Sequence, residues 1–208
     1  MTHTRFEIAA VLLTGVAHFL IANWLDLQLV FIVGACLFWI AFVALRASRD
    51  ATVLATWGLT TRNFGRSVRI LAPVAILTTA CFIAYGLWTG AILLHWHIVL
   101  TGLMYPAWGL VQQFLIVALL AGNLRRQTRI PEGWLVLLAA GVFAAAHVPT
   151  LPLVVPAFCL ALITTTVYFR THNLWAVGIF HGWFATGLYF FVLGRNPWHE
   201  VIAARLWP

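Results

Sequence analysis

The chain has 208 residues, 63% of them apolar and 8% charged, with a mean hydropathy of +0.97. A soluble domain keeps roughly a quarter of its residues charged, so this composition is that of a protein dissolved in lipid. All 12 basic residues are arginines, against 5 acidic residues, and they lie in short gaps between apolar runs rather than on one face of a folded domain. That placement speaks against nucleic acid as a partner and for membrane orientation.

A helix needs about 20 mostly apolar residues to cross the hydrocarbon layer. Seven stretches come close, at about 6–25, 27–45, 70–90, 103–124, 133–149, 151–169 and 173–193. The expectation is an all-α, polytopic transmembrane bundle of about seven spans, a single transmembrane domain over residues 1–208 without internal repeat. The first run follows one arginine, Arg5, and no small-residue cleavage site is evident, so it reads as a retained helix. Only the region of Asp26 separates the first two runs, which therefore form a tight hairpin. The gap from Arg46 to Arg69, with five arginines and Asp50, reads as the one substantial loop. Ala91–Val99, with His95, Trp96 and His97, reads as an interfacial piece. Cys36, Cys81 and Cys159 fall in three different runs without metal or redox spacing, which points to packing.

Counting arginines gives the orientation. An N-terminus inside places Arg5, the five of the long gap, Arg125, Arg126, Arg129 and Arg170 in the cytoplasm, and leaves only Arg195 and Arg205 outside. The expected location is an integral protein of a bacterial inner membrane with its N-terminus cytoplasmic.

Polar groups inside hydrocarbon are expensive and face a protein interior, so they mark candidate sites. The fourth run holds Trp108 and the adjacent pair Gln112 and Gln113; the fifth ends in Phe143-Ala144-Ala145-Ala146-His147-Val148-Pro149; the seventh places His181 near its middle, with Trp183 two residues on. Gln112, Gln113, His147 and His181 are the candidate site, and Phe143, Trp108 and Trp183 the candidate binding side chains. The alternative for each polar residue singly is interhelical glue, worth around 0.6–2 kcal/mol per pair. His18 carries no supporting pattern and reads as glue. Two histidines with no carboxylate or thiolate nearby make a poor ligand set, so neither a metal nor another cofactor is expected.

These segments, in this order, resemble the CAAX protease and bacteriocin-processing family of intramembrane proteases over about residues 103–190. The family pattern is Glu-Glu-x-x-x-Arg on one helix, Phe-x-x-x-His on the next and His-x-x-x-Asn/Asp on a later one. Here Gln112 and Gln113 replace the two glutamates, Val117 the arginine and Ala185 the Asn/Asp, whereas Phe143, His147 and His181 are retained. The resemblance implies a site in which a glutamate activates water for attack on a peptide carbonyl. An amide cannot take up that proton. Carboxylates and counter-charge are missing together, the physically consistent route for divergence, because an arginine stranded in lipid costs at least a few kcal/mol.

Three functions fit this reading. One is a pseudoenzyme scaffold binding membrane lipid, a prenyl chain or another membrane protein. Another is an atypical intramembrane hydrolase with His147 or His181 as general base and the glutamines as donors. The third is an accessory subunit of a larger membrane complex, pigment- or haem-associated, since a neutral imidazole can ligate a tetrapyrrole metal.

Overall fold

The computed structural model describes residues 2–148 and 150–203, with side chains over 4–148 and 150–201. Pro149, at the end of the fifth run, and Arg205, counted above with the outer arginines, lie outside the described residues. Helix α1 (Thr2–Ala17) runs on as a π-helical stretch to Trp24, and α2 covers Gln28–Arg49. The short α3 (Thr52–Thr56) precedes α4 (Phe64–Thr89). Helix α5 (His97–Gln113) continues through a π-helical segment, Phe114–Ala121, into α6 (Gly122–Gln127) as one long rod. Helices α7 (Glu132–Ala145), α8 (Leu151–Thr171) and α9 (Leu174–Gly187) follow, α9 ending in a π-helical turn at Val192. No strand occurs among the described residues.

Six of these helices are long and apolar enough to cross a membrane, and α7 is a shorter apolar helix. Fourteen residues at 1.5 Å each give α7 about 21 Å, less than the hydrocarbon layer of about 30 Å. The turn after α7, closed by Thr150 N–H on His147 O at 2.8 Å, completes the path to the start of α8. At the other end, Arg125 joins the two helices by donating to the Glu132 carboxylate and to Phe169 O. Helix α7 therefore runs beside α8 between the same two levels, which accounts for the seventh span.

The Arg46–Arg69 gap is shorter as a loop than its polarity suggests. Arg46 and Arg49 belong to the last turn of α2, and Arg66 and Arg69 to the start of α4. Helical hydrogen bonding continues past the lipid boundary wherever the side chains can be solvated, so polar residues need not end a helix. What remains, residues 50–63, is fixed to the α8–α9 junction. Tyr168 donates to Trp57 O at 3.1 Å, Leu174 N–H to Gly58 O at 2.9 Å and Asn63 Nδ2 to Thr171 O at 2.9 Å. Asn173 caps α9 by accepting from Ala176 N–H at 3.0 Å, and its amide donates to Thr60 O and Arg62 O at 2.8 and 2.9 Å. Beneath this junction Trp57 closes an aromatic cluster with Phe42 and Phe114, at ring separations of 5.7 and 5.1 Å.

These contacts gather the arginine-bearing helix ends on one face of the bundle. On the opposite face residues 91–95 form an irregular connection, held by Leu93 N–H on Phe190 O at 2.8 Å, and His97 opens α5 with its ring bonded to Asn196. Ala91–Val99 is thus a junction plus the first turn of α5, and adds no span.

The most enclosed spans are the α5–α6 rod and α9, with 50% and 56% of their apolar windows buried, against 11–17% for α1, α2 and α4. Small residues make this pairing. A Cβ on Gly182 would stand 2.3 Å from Pro106 N, one on Gly178 2.8 Å from Leu110 Cα, and one on Gly109 2.9 Å from Gly178 O. Backbones this close associate through packing, the means available to helices in lipid.

Candidate functional site

The α5–α9 crossing brings together two groups far apart in sequence. One turn beyond Gly109 stands Gln113, fully buried, and beside Gly182 stands His181, 6% exposed. Gln113 Nε2 lies 2.9 Å from His181 Nδ1. An amide nitrogen only donates, so His181 Nδ1 accepts and its ring proton sits on Nε2.

His147 lies in the turn just beyond α7. Its Nδ1 is 2.8 Å from Phe143 O, and a carbonyl only accepts, so Nδ1 carries the proton and Nε2 keeps its lone pair. Phe143 stands between the two histidines, its ring 4.8 Å from that of His147 and 5.5 Å from that of His181. The site thus presents one imidazole as acceptor and the other as donor, on two sides of one apolar ring.

The side-chain carbonyl oxygens of Gln112 and Gln113 are buried and accept from no donor among the described residues. Leaving a buried acceptor unmet costs about 1–3 kcal/mol. A group bearing N–H or O–H would relieve that cost, so the arrangement suits a neutral hydrogen-bonding partner. Val117, at the arginine position of the family pattern, is completely buried, and Ala185 is half-buried.

The remaining candidates fall in different places. Trp108 is half-buried and meets Phe31 edge-on at 6.4 Å. Trp183 is 60% exposed, because two residues on from His181 it points to the other side of α9, and the structure does not bring it to the site.

Two further residues join the picture, His18, read from the sequence as interhelical glue, and Glu7, which the sequence reading did not single out. His18 packs at 5.0 Å on Phe31, the ring that also meets Trp108, and lies within electrostatic reach of His147. Nothing in its local sequence marks it. Glu7, 5% exposed in α1, accepts from Asn123 Nδ2 at 2.8 Å and lies 3.7 Å from Arg46. A lone carboxylate inside the first apolar run was a readable signal for that polar node, which ties α1 to the rod at the arginine face.

Fold and site together define a helical membrane protein with polar groups from α5, the end of α7 and α9 gathered in the bundle interior. Residues 95–187 match the family model described as type II CAAX prenyl endopeptidase Rce1-like, so this stretch is similar to that family. The match runs from the start of α5 to the end of α9 and includes every residue of the site except His18. No curated protein and no solved structure matches the chain.

Proposed function

We propose that this CAAX-protease-like protein does not hydrolyse peptides by the glutamate route and serves as a membrane scaffold, its neutral site holding a lipid or prenyl chain. The observation that carries this reading is the Gln113–His181 bond. Where the family pattern has a carboxylate, an amide occupies the histidine, and Glu7, the acidic residue buried in the bundle, is engaged with Asn123 instead. Phe143 and the half-buried Trp108 offer apolar walls for a chain, and the unmet amide oxygens a place for a donor. The test is cleavage of a prenylated CAAX peptide by the protein in proteoliposomes, alongside capture of a photoactivatable prenyl probe. The expected result is no cleavage, with capture reduced by Phe143→Ala. Hydrolysis that disappears in His147→Ala or His181→Ala would refute the scaffold.

One observation favours a second reading. With Nδ1–H given to Phe143 O, His147 keeps a bare Nε2, the form a general base needs. The same cleavage assay decides, since this reading requires turnover that His147→Ala abolishes.

The proposed setting is a bacterial inner membrane, with the arginine face in the cytoplasm. Ten arginines gathered at one face support it. In a background without native cysteines, Thr61→Cys on the 50–63 loop should react with an impermeant maleimide only after the cells are opened. Labelling of intact cells would reverse the orientation.

A further inference from the structure

We propose that the arginine face carries a binding cleft for an anionic phospholipid between α7 and α8, separate from the Gln113–His181 site. A cleft of about 600 Å³ opens there, walled by Trp134, Val136, Leu137, Thr166, Phe169 and Arg170. Its chemistry is graded along its depth. Toward the bundle's flank the wall is apolar, with Leu137 45% and Trp134 66% exposed on a surface that faces hydrocarbon, so an acyl chain can lie against it. Toward the arginine face the wall becomes polar, and Trp134 sits at that boundary as tryptophan does at membrane interfaces.

The charge at the mouth selects the headgroup. Arg170 lines it together with one carboxylate, Glu132; Arg125 and Arg126 line the neighbouring cleft, which shares Phe169, and Arg129 stands two residues before Pro131, which also lines the first. Arg125 is committed, to Glu132, to Phe169 O and to the Phe169 ring 4.6 Å below its guanidinium. Arg126 is committed to Asn123 and Thr56 O. Arg129 and Arg170 are exposed and have no hydrogen-bond or ion-pair partner among the described residues. Two unengaged guanidiniums beside an apolar wall match a phosphodiester carrying acyl chains, because the planar fork of arginine pairs with two phosphate oxygens at once. Basic pockets between spans on the cytoplasmic side recognise anionic headgroups for the same reason. A zwitterionic lipid would bring its cation against the same arginines and lose the advantage.

The experiment uses the full chain, delipidated in a neutral detergent. Phosphatidylglycerol with brominated acyl chains, phosphatidylcholine with the same chains, and sn-glycerol 3-phosphate are titrated against tryptophan fluorescence and melting temperature. The expected result is saturable quenching and a raised melting temperature with phosphatidylglycerol, and neither with the other two at equal concentration. Arg129→Gln and Arg170→Gln should each weaken the phosphatidylglycerol response on the order of 5-fold. Trp134→Phe should reduce the saturable, phosphatidylglycerol-specific part of the quenching while keeping the thermal shift, and its own unliganded melting temperature shows whether it is folded. Equal responses to the two phospholipids would overturn the proposal. So would a full response to glycerol phosphate alone, which would mark a soluble anion site, or arginine variants that bind as well as the original.

Discussion

Replacing Gly182 by alanine will lower the melting temperature of the detergent-solubilised protein by on the order of 10 °C. The added methyl would stand 2.3 Å from the backbone nitrogen of Pro106 and 2.6 Å from its Cα, inside any permissible contact. Neither atom is the free end of a flexible side chain, so relief requires α5 and α9 to part. Overpacking of this kind costs typically 1–3 kcal/mol, and a backbone collision belongs at or beyond the top of that range. The same separation pulls on the 2.9 Å Gln113–His181 bond, which sits at the crossing. Gly141→Ala in α7 is the internal control. Nothing lies within 4 Å of the Cβ it would add, so it should shift the melting temperature little or upward. Equal melting of the two variants would show that the α5–α9 crossing is not the constraint described here.

The second large effect is expected from returning carboxylates to the site. Gln112→Glu with Gln113→Glu should destabilise the fold by about 3–5 kcal/mol, the cost of a buried charge left without its partner, and should produce no peptidase activity. The two positions differ. A glutamate at 113 meets His181, which can take the complementary proton, whereas the Gln112 side chain has no hydrogen-bond partner among the described residues. The single Gln112→Glu variant should therefore account for most of the loss. Adding Val117→Arg brings a counter-charge four residues beyond position 113, on the same side of the helix. Because Val117 is completely buried, the gain in charge pairing is set against crowding and the recovery is partial. Melting curves of the single, double and triple variants, with a prenylated-peptide cleavage assay on each, provide the measurement. A triple variant no more stable than the double would remove the charge-pair account of how Glu, Glu and Arg were lost together.

The spans were legible in the sequence because hydrocarbon imposes a length and an apolarity that few other environments demand. Their ends were less so. Arg46, Arg49, Arg66 and Arg69 read as loop because they are charged, yet they extend α2 and α4, since backbone hydrogen bonding is indifferent to side-chain charge where water can reach the guanidinium. The site was legible to the extent that it breaks a local rule. Gln113, His147 and His181 are polar within apolar runs, and the order of their segments carried the resemblance to the family whose model residues 95–187 match. Trp183 shows the limit of reading from proximity in sequence, as it stands two residues from His181 and faces away. His18 and the Glu7–Asn123 node depend on which helices become neighbours, 116 residues apart in the second case, and no local pattern encodes that.

The fixing of the 50–63 loop to the α8–α9 junction sets a timetable for assembly. The carbonyls of Thr60 and Arg62 find their donor in Asn173, 113 and 111 residues later in the chain, and Ala55 O meets the His172 ring after 117. At a synthesis rate of about 5–20 residues per second, the loop leaves the ribosome roughly 5–20 s before its partners exist. During that interval its backbone is open to proteases and chaperones, and a chain halted before α8 never closes it. The loop therefore reaches its folded form only once α8 and the start of α9 have been made.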